Sequence, residues 1–349
     1  MRALGRVIKR ILQALLILVV ALASPVVYVE TMCRGSATPA PSTPLSAETR
    51  PEIRTLLTYP EWHIVHAYDD YAQVIRDGDP HDFSYLRATF GYWSSLCTLT
   101  TEAAALGEID GGTRQLVHVI GVSFTFEMLM KAAYEETIGR VATIIRGPQH
   151  ARLDNLSAQQ AAEYAAFLQQ VPWYRYDFRG DAAALNQVAT DAFRDQERAF
   201  SLGLEHLARA AYAGVITNAV AATTGFDDLT LQMVVTGLPE EAFTNVDGVN
   251  LIAQIDAGLE IETPRYRELT GLLATWANQG AEFIDMAGND QIMFTATSDA
   301  ATQPGALASL ARQGYGDTRH LFLVPVRELA TALRTLDARG LRLEHIHDY

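Results

Sequence analysis

GGTRQLVHVIGVSFTFEMLMKAAYEETIGRVATIIRGP, Gly111 to Pro148, runs from one pair of helix stops to the next. Its middle, Leu116 to Met130, is apolar nearly all round, the pattern of a helix buried on every side. The spacing therefore predicts a helical bundle with this segment at its centre. A second reading, as a membrane span, is set aside. His118, Glu127 and Lys131 leave no clean apolar run of about twenty residues.

Outward from this stretch, residues 50–225 read as almost entirely helical. Pro60 suits a first helical turn, with Thr58 as its cap, and the helix runs to Gly78. Further helices are expected over Phe83 to Leu106, Ala158 to Gln170, Ala182 to Leu202 and Gly203 to Thr223. The pattern changes after Gly225. Leu229 to Val235, Val249 to Ile255, Leu321 to Val324 and Leu341 to His347 read as strands. Glu282 to Met286 and Gln291 to Thr297 read as a hairpin turning on Gly288-Asn289. Helices are expected over Arg265 to Gln279 and from Val326 to Leu336, the latter capped by Gly340. The order β-α-β-β-α-β with an extra early strand matches a ferredoxin-like α+β sandwich over 226–349, a fold that licenses no activity by itself.

At the other end, Ile11 to Val29 is nineteen mostly apolar residues behind the cations Arg2, Arg6, Lys9 and Arg10. At roughly 1.5 Å per residue it crosses a hydrocarbon core of about 30 Å. The basic flank marks the amino terminus as cytoplasmic. Residues 1–30 are thus expected to be a single-pass anchor in a bacterial inner membrane, with the rest in the periplasm. Ala21-Leu22-Ala23 also satisfies a signal peptidase, so a cleaved signal ahead of Ser24 stays open. Residues 31–49, rich in Pro, Ser and Thr, read as a tether. The net charge is −14, and without the four flanking cations the remainder is more acidic still. Such a surface repels phosphate backbones and excludes nucleic acid as a partner.

Three sets of residues invite chemistry. His63, His66 and Asp70 fall at i, i+3 and i+7, one face of a helix. Imidazoles and a carboxylate on one face suit a divalent metal such as zinc, iron or manganese. The bland alternative is an aromatic packing surface of Trp62, Tyr68 and Tyr71 with the histidines bonded at its edge. Glu127, Lys131 and Glu135 form an i, i+4, i+8 ladder whose members would satisfy one another in a partly buried setting. Glu127 and Lys131 there could act as an acid–base pair, or form a structural ion pair, which Arg140 extends from Glu136. His345 and His347 alternate onto one side of the last strand, where His320 could join them as metal ligands; no carboxylate or cysteine is placed on that face, and the bland alternative is a solvent-facing sheet end. Cys33 and Cys97 either pair in an oxidising compartment or stand as separate thiols.

TYPEWHIVHAYDDYA (Thr58 to Ala72) with SFTFEMLMKAAYEETIGR (Ser123 to Arg140) resembles an uncharacterised family of bacterial membrane-anchored proteins. The resemblance implies an inner-membrane setting and transfers no activity. The expectation is an envelope protein that contacts the membrane through its first helix and binds a protein or small ligand. The rival is a metal-dependent hydrolase using His63, His66 and Asp70, with Glu127 or Lys131 as acid–base group.

Overall fold

The computed structural model describes residues 2–35, 44–45, 48–223 and 229–349. Most of the tether therefore lies outside the described residues. The architecture is mixed: a long apolar N-terminal helix, a helical layer, and two antiparallel four-stranded sheets.

The helical layer comprises α1 (Arg2–Met32), α2 (Arg54–Leu57), α3 (Tyr59–Asp77), α4 (Tyr85–Ala103), α5 (Gly111–Tyr134), α6 (Arg140–Arg146), α7 (Arg152–Leu168), α8 (Phe178–Val188) and α9 (Phe193–Thr223). A π turn, Glu135–Gly139, joins α5 to α6. Local chemistry sets several ends. Asp110 caps α5 by accepting from the Thr113 amide at 2.9 Å, and Gly147, at φ 82°, ends α6. Pro60 does sit in the first turn of α3, but Thr58 is itself helical and its side chain makes no capping bond. The break expected at Leu202-Gly203 falls instead between Val188 and Phe193, leaving α9 unbroken through Gly203.

The larger correction concerns α5. It is not a central buried helix. Val117, Phe124 and Met128 pack inward, whereas Leu116, Val119, Phe126 and Met130 lie exposed along its outer side.

The sheets begin after Leu229. The first contains β1 (Thr230–Thr236), β2 (Asn250–Ile255), β3 (Gly258–Pro264) and β4 (Glu282–Met286), with α10 (Glu241–Thr244) and α11 (Tyr266–Gln279) between strands. The second contains β5 (Gln291–Ser298), β6 (Ala308–Ala311), β7 (Thr318–Pro325) and β8 (Arg342–His347), with α12 (Val326–Arg334) before the last. Their orders are β2-β3-β1-β4 and β6-β7-β5-β8, so both follow one plan with every neighbouring pair antiparallel.

No hairpin joins β4 to β5. The turn exists, since the Asn289 amide donates to Met286 at 3.0 Å, but the strands leave it into different sheets. Glu52 Oε1 captures the amides of Asp290 and Gln291 at 2.8 and 2.6 Å, and β5 pairs with β7 and β8.

Each sheet's helix packs against the last strand of the other. Thr270 on α11 accepts from the Ile346 amide of β8 at 3.0 Å, while Arg334 on α12 reaches Glu282 of β4 at 2.7 Å. One core fills the space beneath, with Met233 and Phe283 from one sheet, Phe294 and Phe322 from the other, and Trp276 and Leu329 from the helices. Alternation along β5 gives it two faces. Ile292, Phe294 and Ala296 enter that core, whereas Met293 joins Leu56, Tyr59 and Trp62 in the core of the helical layer.

Candidate functional site

The chemistry-bearing residues of α3 lie where the helical layer meets the second sheet. His63 and Asp70 share a helix face, but seven residues at 1.5 Å each separate them by about 10 Å along the axis, beyond one metal's reach. Each meets a different neighbour. His63 Nε2 lies 2.8 Å from the Ala88 carbonyl, with its ring among Tyr59, Tyr92 and Phe124. Burial drives its pKa down to about 4, so the ring is neutral. Asp70 accepts from the Gln313 amide at 2.9 Å, and its other oxygen is 3.9 Å from Arg312 Nε. Burial raises its pKa to about 7 against the pull of Arg319.

His66 turns toward β8, its Nε2 3.7 Å from Glu344, which is held by Arg319. Burial and the Arg319 charge keep His66 well below the usual imidazole range. The structure therefore does not gather His63, His66 and Asp70 around one point.

His345 and His347 do not face solvent. Both are buried against α3, because the helical layer covers this face of β8. His345 stacks on Trp62, and its Nδ1 lies 3.1 Å from Thr270 Oγ1. His347 stands edge-on to Tyr59 with ring centroids 5.4 Å apart. Among the described residues, neither ring nitrogen of His347 has a hydrogen-bond partner, nor do His66 Nε2 and Tyr59 Oη. His320 is elsewhere, between the hydroxyls of Ser298 and Ser309. The result is a closed cluster of neutral imidazoles and aromatic rings beside the Arg319–Glu344 pair.

The ladder on α5 is satisfied from outside itself. Glu127 accepts from Tyr68 Oη at 2.5 Å and pairs with Arg209; Lys131 pairs with Glu205 at 2.8 Å; Glu135 holds Arg198 through two bonds of 2.8 and 2.9 Å. These partners descend α9 as the ladder ascends, so the two helices run antiparallel. Arg198, Glu205 and Arg209 carry complementary charges at matching helical spacing, the signal that sequence reasoning passed over. Arg140 does bind Glu136, at 2.6 Å.

Among the described residues, one set of three ligand-type side chains converges within 4.8 Å: Asp79, His81 and Asp82, in the turn after α3. It opens on a cleft of about 460 Å³ that also holds Arg140, Arg146 and His150. Both Asp79 oxygens already accept from Arg146, at 2.7 and 3.0 Å. A cation there would displace or face that guanidinium.

Cys33 and Cys97 are joined, with Cα atoms 5.0 Å apart. Beside them Glu30 accepts from Arg114 at 2.9 Å and meets His118 Nε2 at 2.7 Å. The end of the apolar helix is thereby fastened to α4 and α5. Compared with known proteins, the chain matches no family model, no curated protein and no solved structure.

Proposed function

We propose that this is a membrane-anchored bacterial envelope protein in which a helical body (50–225) presents a two-sheet binding module (226–349) at a fixed distance from the inner membrane. The observation that carries the reading is the attachment of α1. The Cys33–Cys97 bond and the Glu30 contacts to Arg114 and His118 fasten the C-terminal end of the apolar helix to the body, which supports a helix kept with the protein. A helix held this way transmits its orientation to everything packed on α4 and α5. In the module, β1-α10-β2-β3-α11-β4 follows the ferredoxin-like β-α-β-β-α-β sequence, and β5 to β8 repeats the plan without the first helix. The partner is a protein or small ligand that the module holds.

Alkaline carbonate extraction of cell membranes, followed by protease treatment of spheroplasts, tests the reading. The full chain should stay with the pellet and lose its C-terminal part to external protease. A soluble chain beginning at Ser24 would overturn it. Stoichiometric zinc, iron or manganese in protein purified without an affinity-tag metal would favour the hydrolase instead.

A further inference from the structure

A soluble surface helix turns its apolar side inward and its charges outward. Two of the longest helices here do the reverse. On α5 the inward side carries Glu127 and Lys131 beside Val117, Phe124 and Met128, with Glu135 in the π turn that follows, each charge paired as described, while Leu116, Val119, Phe126 and Met130 face out. On α9 the inward residues are Arg198, Glu205 and Arg209, and the outward ones Phe200, Leu204, Leu207 and Val215. Phe200 is 75% exposed and Leu204 61%. The ion pairs join these two helices, and the outer side of each is apolar.

The face has a definite height. Among the described residues of α5, no exposed charge lies between Arg114 and Glu136, and on α9 none from Ala199 to Thr217. About twenty residues at 1.5 Å each give roughly 30 Å, the thickness of a bilayer's hydrocarbon core. Its lower edge coincides with the end of α1, because Arg114 is the residue that binds Glu30.

The direction of α1 agrees. Gly35 lies against Thr101 and Ala104, and Cys33 is bonded to Cys97. Moving back along α1 therefore moves back along α4. The seven-residue connection between α4 and α5 makes them antiparallel, so α1 heads to the side on which α5 rises.

We infer that the apolar face of α5 and α9 lies against lipid acyl chains of the same bilayer that α1 enters. The inference rests on the membrane-anchored reading and extends it from one helix to three. It also explains why polar residues were accepted in the segment Leu116 to Met130. Charges inside a membrane turn toward the bundle and pair there, as Glu127 and Lys131 do. Acyl chains, unlike an anionic headgroup surface, do not repel an acidic protein.

The test uses the full chain in phosphatidylcholine vesicles. The native cysteines are bonded to each other, so Phe126→Cys and Leu207→Cys each offer one thiol for an environment-sensitive fluorophore. Met130→Cys and Leu204→Cys serve as second choices if either fails to fold. Gln159→Cys, exposed on the polar side of α7, is the control. Lipids carrying a nitroxide on the acyl chain should quench positions 126 and 207 several-fold more than position 159. Equal quenching, with iodide reaching positions 126 and 207 from water, would overturn the inference while leaving the anchored reading intact. So would shielding from both quenchers, which would mean a second copy covers the face. Failure of the chain to float with the vesicles would overturn the anchored reading and this inference together.

Discussion

The indole of Trp62 and the imidazole of His345 stack with ring centroids 3.4 Å apart, one from the helical layer and one from the last strand. Beside them Thr55 Oγ1 donates to the His347 carbonyl at 2.6 Å and accepts from the Met293 amide at 2.8 Å. The two parts of the molecule are thus packed ring on ring and bonded from the Thr55 hydroxyl to the backbone of β8 and β5. They should not unfold independently, and the imidazoles between them make that joint unfolding sensitive to acid.

His63 at about 4 and His347 at about 3 are depressed, and His66 and His345 lie well below their ordinary value. For a base with a depressed folded pKa, the unfolded chain binds more protons below about 6.5. The stability is complete above that pH and is lost as the pH falls toward the folded value. His63 alone accounts for roughly 3 kcal/mol at about 1.4 kcal/mol per unit. Asp70, raised to about 7, acts oppositely: its contribution is complete below about 3.8 and is lost as the pH rises through 7. Four imidazoles outweigh one carboxylate. Thermal melts of the detergent-solubilised chain should therefore fall steeply between about pH 6 and 4. His347→Phe, which removes two unbonded buried nitrogens, should raise the melting temperature and lower the acid midpoint. An unchanged midpoint would refute this account.

Gly121 sits where α4 and α5 touch. A β-carbon there would lie 2.4 Å from the Tyr92 ring and 2.8 Å from that of Trp93. In an open helix, Gly→Ala stabilises by about 1 kcal/mol. Here overpacking by about 1–3 kcal/mol exceeds that gain. Gly121→Ala should lower the melting temperature, whereas Gly203→Ala, with nothing within 4 Å of its β-carbon, should not.

The Glu135–Arg198 pair is buried on both sides. Removing one partner strands the other charge at a cost of about 3–5 kcal/mol. Arg198→Ala should be severely destabilised. Replacing both, with Glu135→Leu and Arg198→Met, should recover most of the loss. A double variant no better than the single one would show that Glu197, which also binds Arg198, dominates.

Opening the disulfide should loosen the end of the apolar N-terminal helix. Cys33 and Cys97 are 64 residues apart in sequence, and a loop of that size stabilises by roughly 4 kcal/mol in the chain-entropy model. Cys97→Ser should unfold at a lower temperature and become cleavable by protease near Arg34. Equal resistance with and without reductant would contradict the clamp.

Much of this fold was legible where local pattern and tertiary setting agree. The α11 stripe of Leu269, Leu273 and Trp276 does face a core. The strands β1 and β2 declare themselves by their branched residues, Val234 and Val235 in one and Ile252 and Ile255 in the other. β3 was missed because Glu260 and Glu262 dilute it, and β6, Ala308–Ala311, because it is four residues long and three of them, Ala308, Ser309 and Ala311, are small with little strand preference. Once β3 and β6 are placed, four-strand pairing splits the expected single sheet into two.

The candidate site was legible as residue types but not as geometry. Periodicity put His63 and Asp70 on one face without weighing the rise between them. Hydropathy marked Leu116 to Met130 as needing cover on all sides, yet it cannot distinguish a protein interior from any other apolar surroundings. The partners of Glu127, Lys131 and Glu135 lie 63 to 82 residues away in α9, a separation at which helical spacing alone is silent.

The placement of α11 over β8 and of α12 over β4 makes the two sheets hostages of each other. Each unit lends its cover to its neighbour, the arrangement of a domain-swapped pair written into one chain. Severing the 287–290 connection would not yield two self-sufficient halves. It would yield two incomplete pieces, each missing the lid that the other carries, and therefore bound to find each other again.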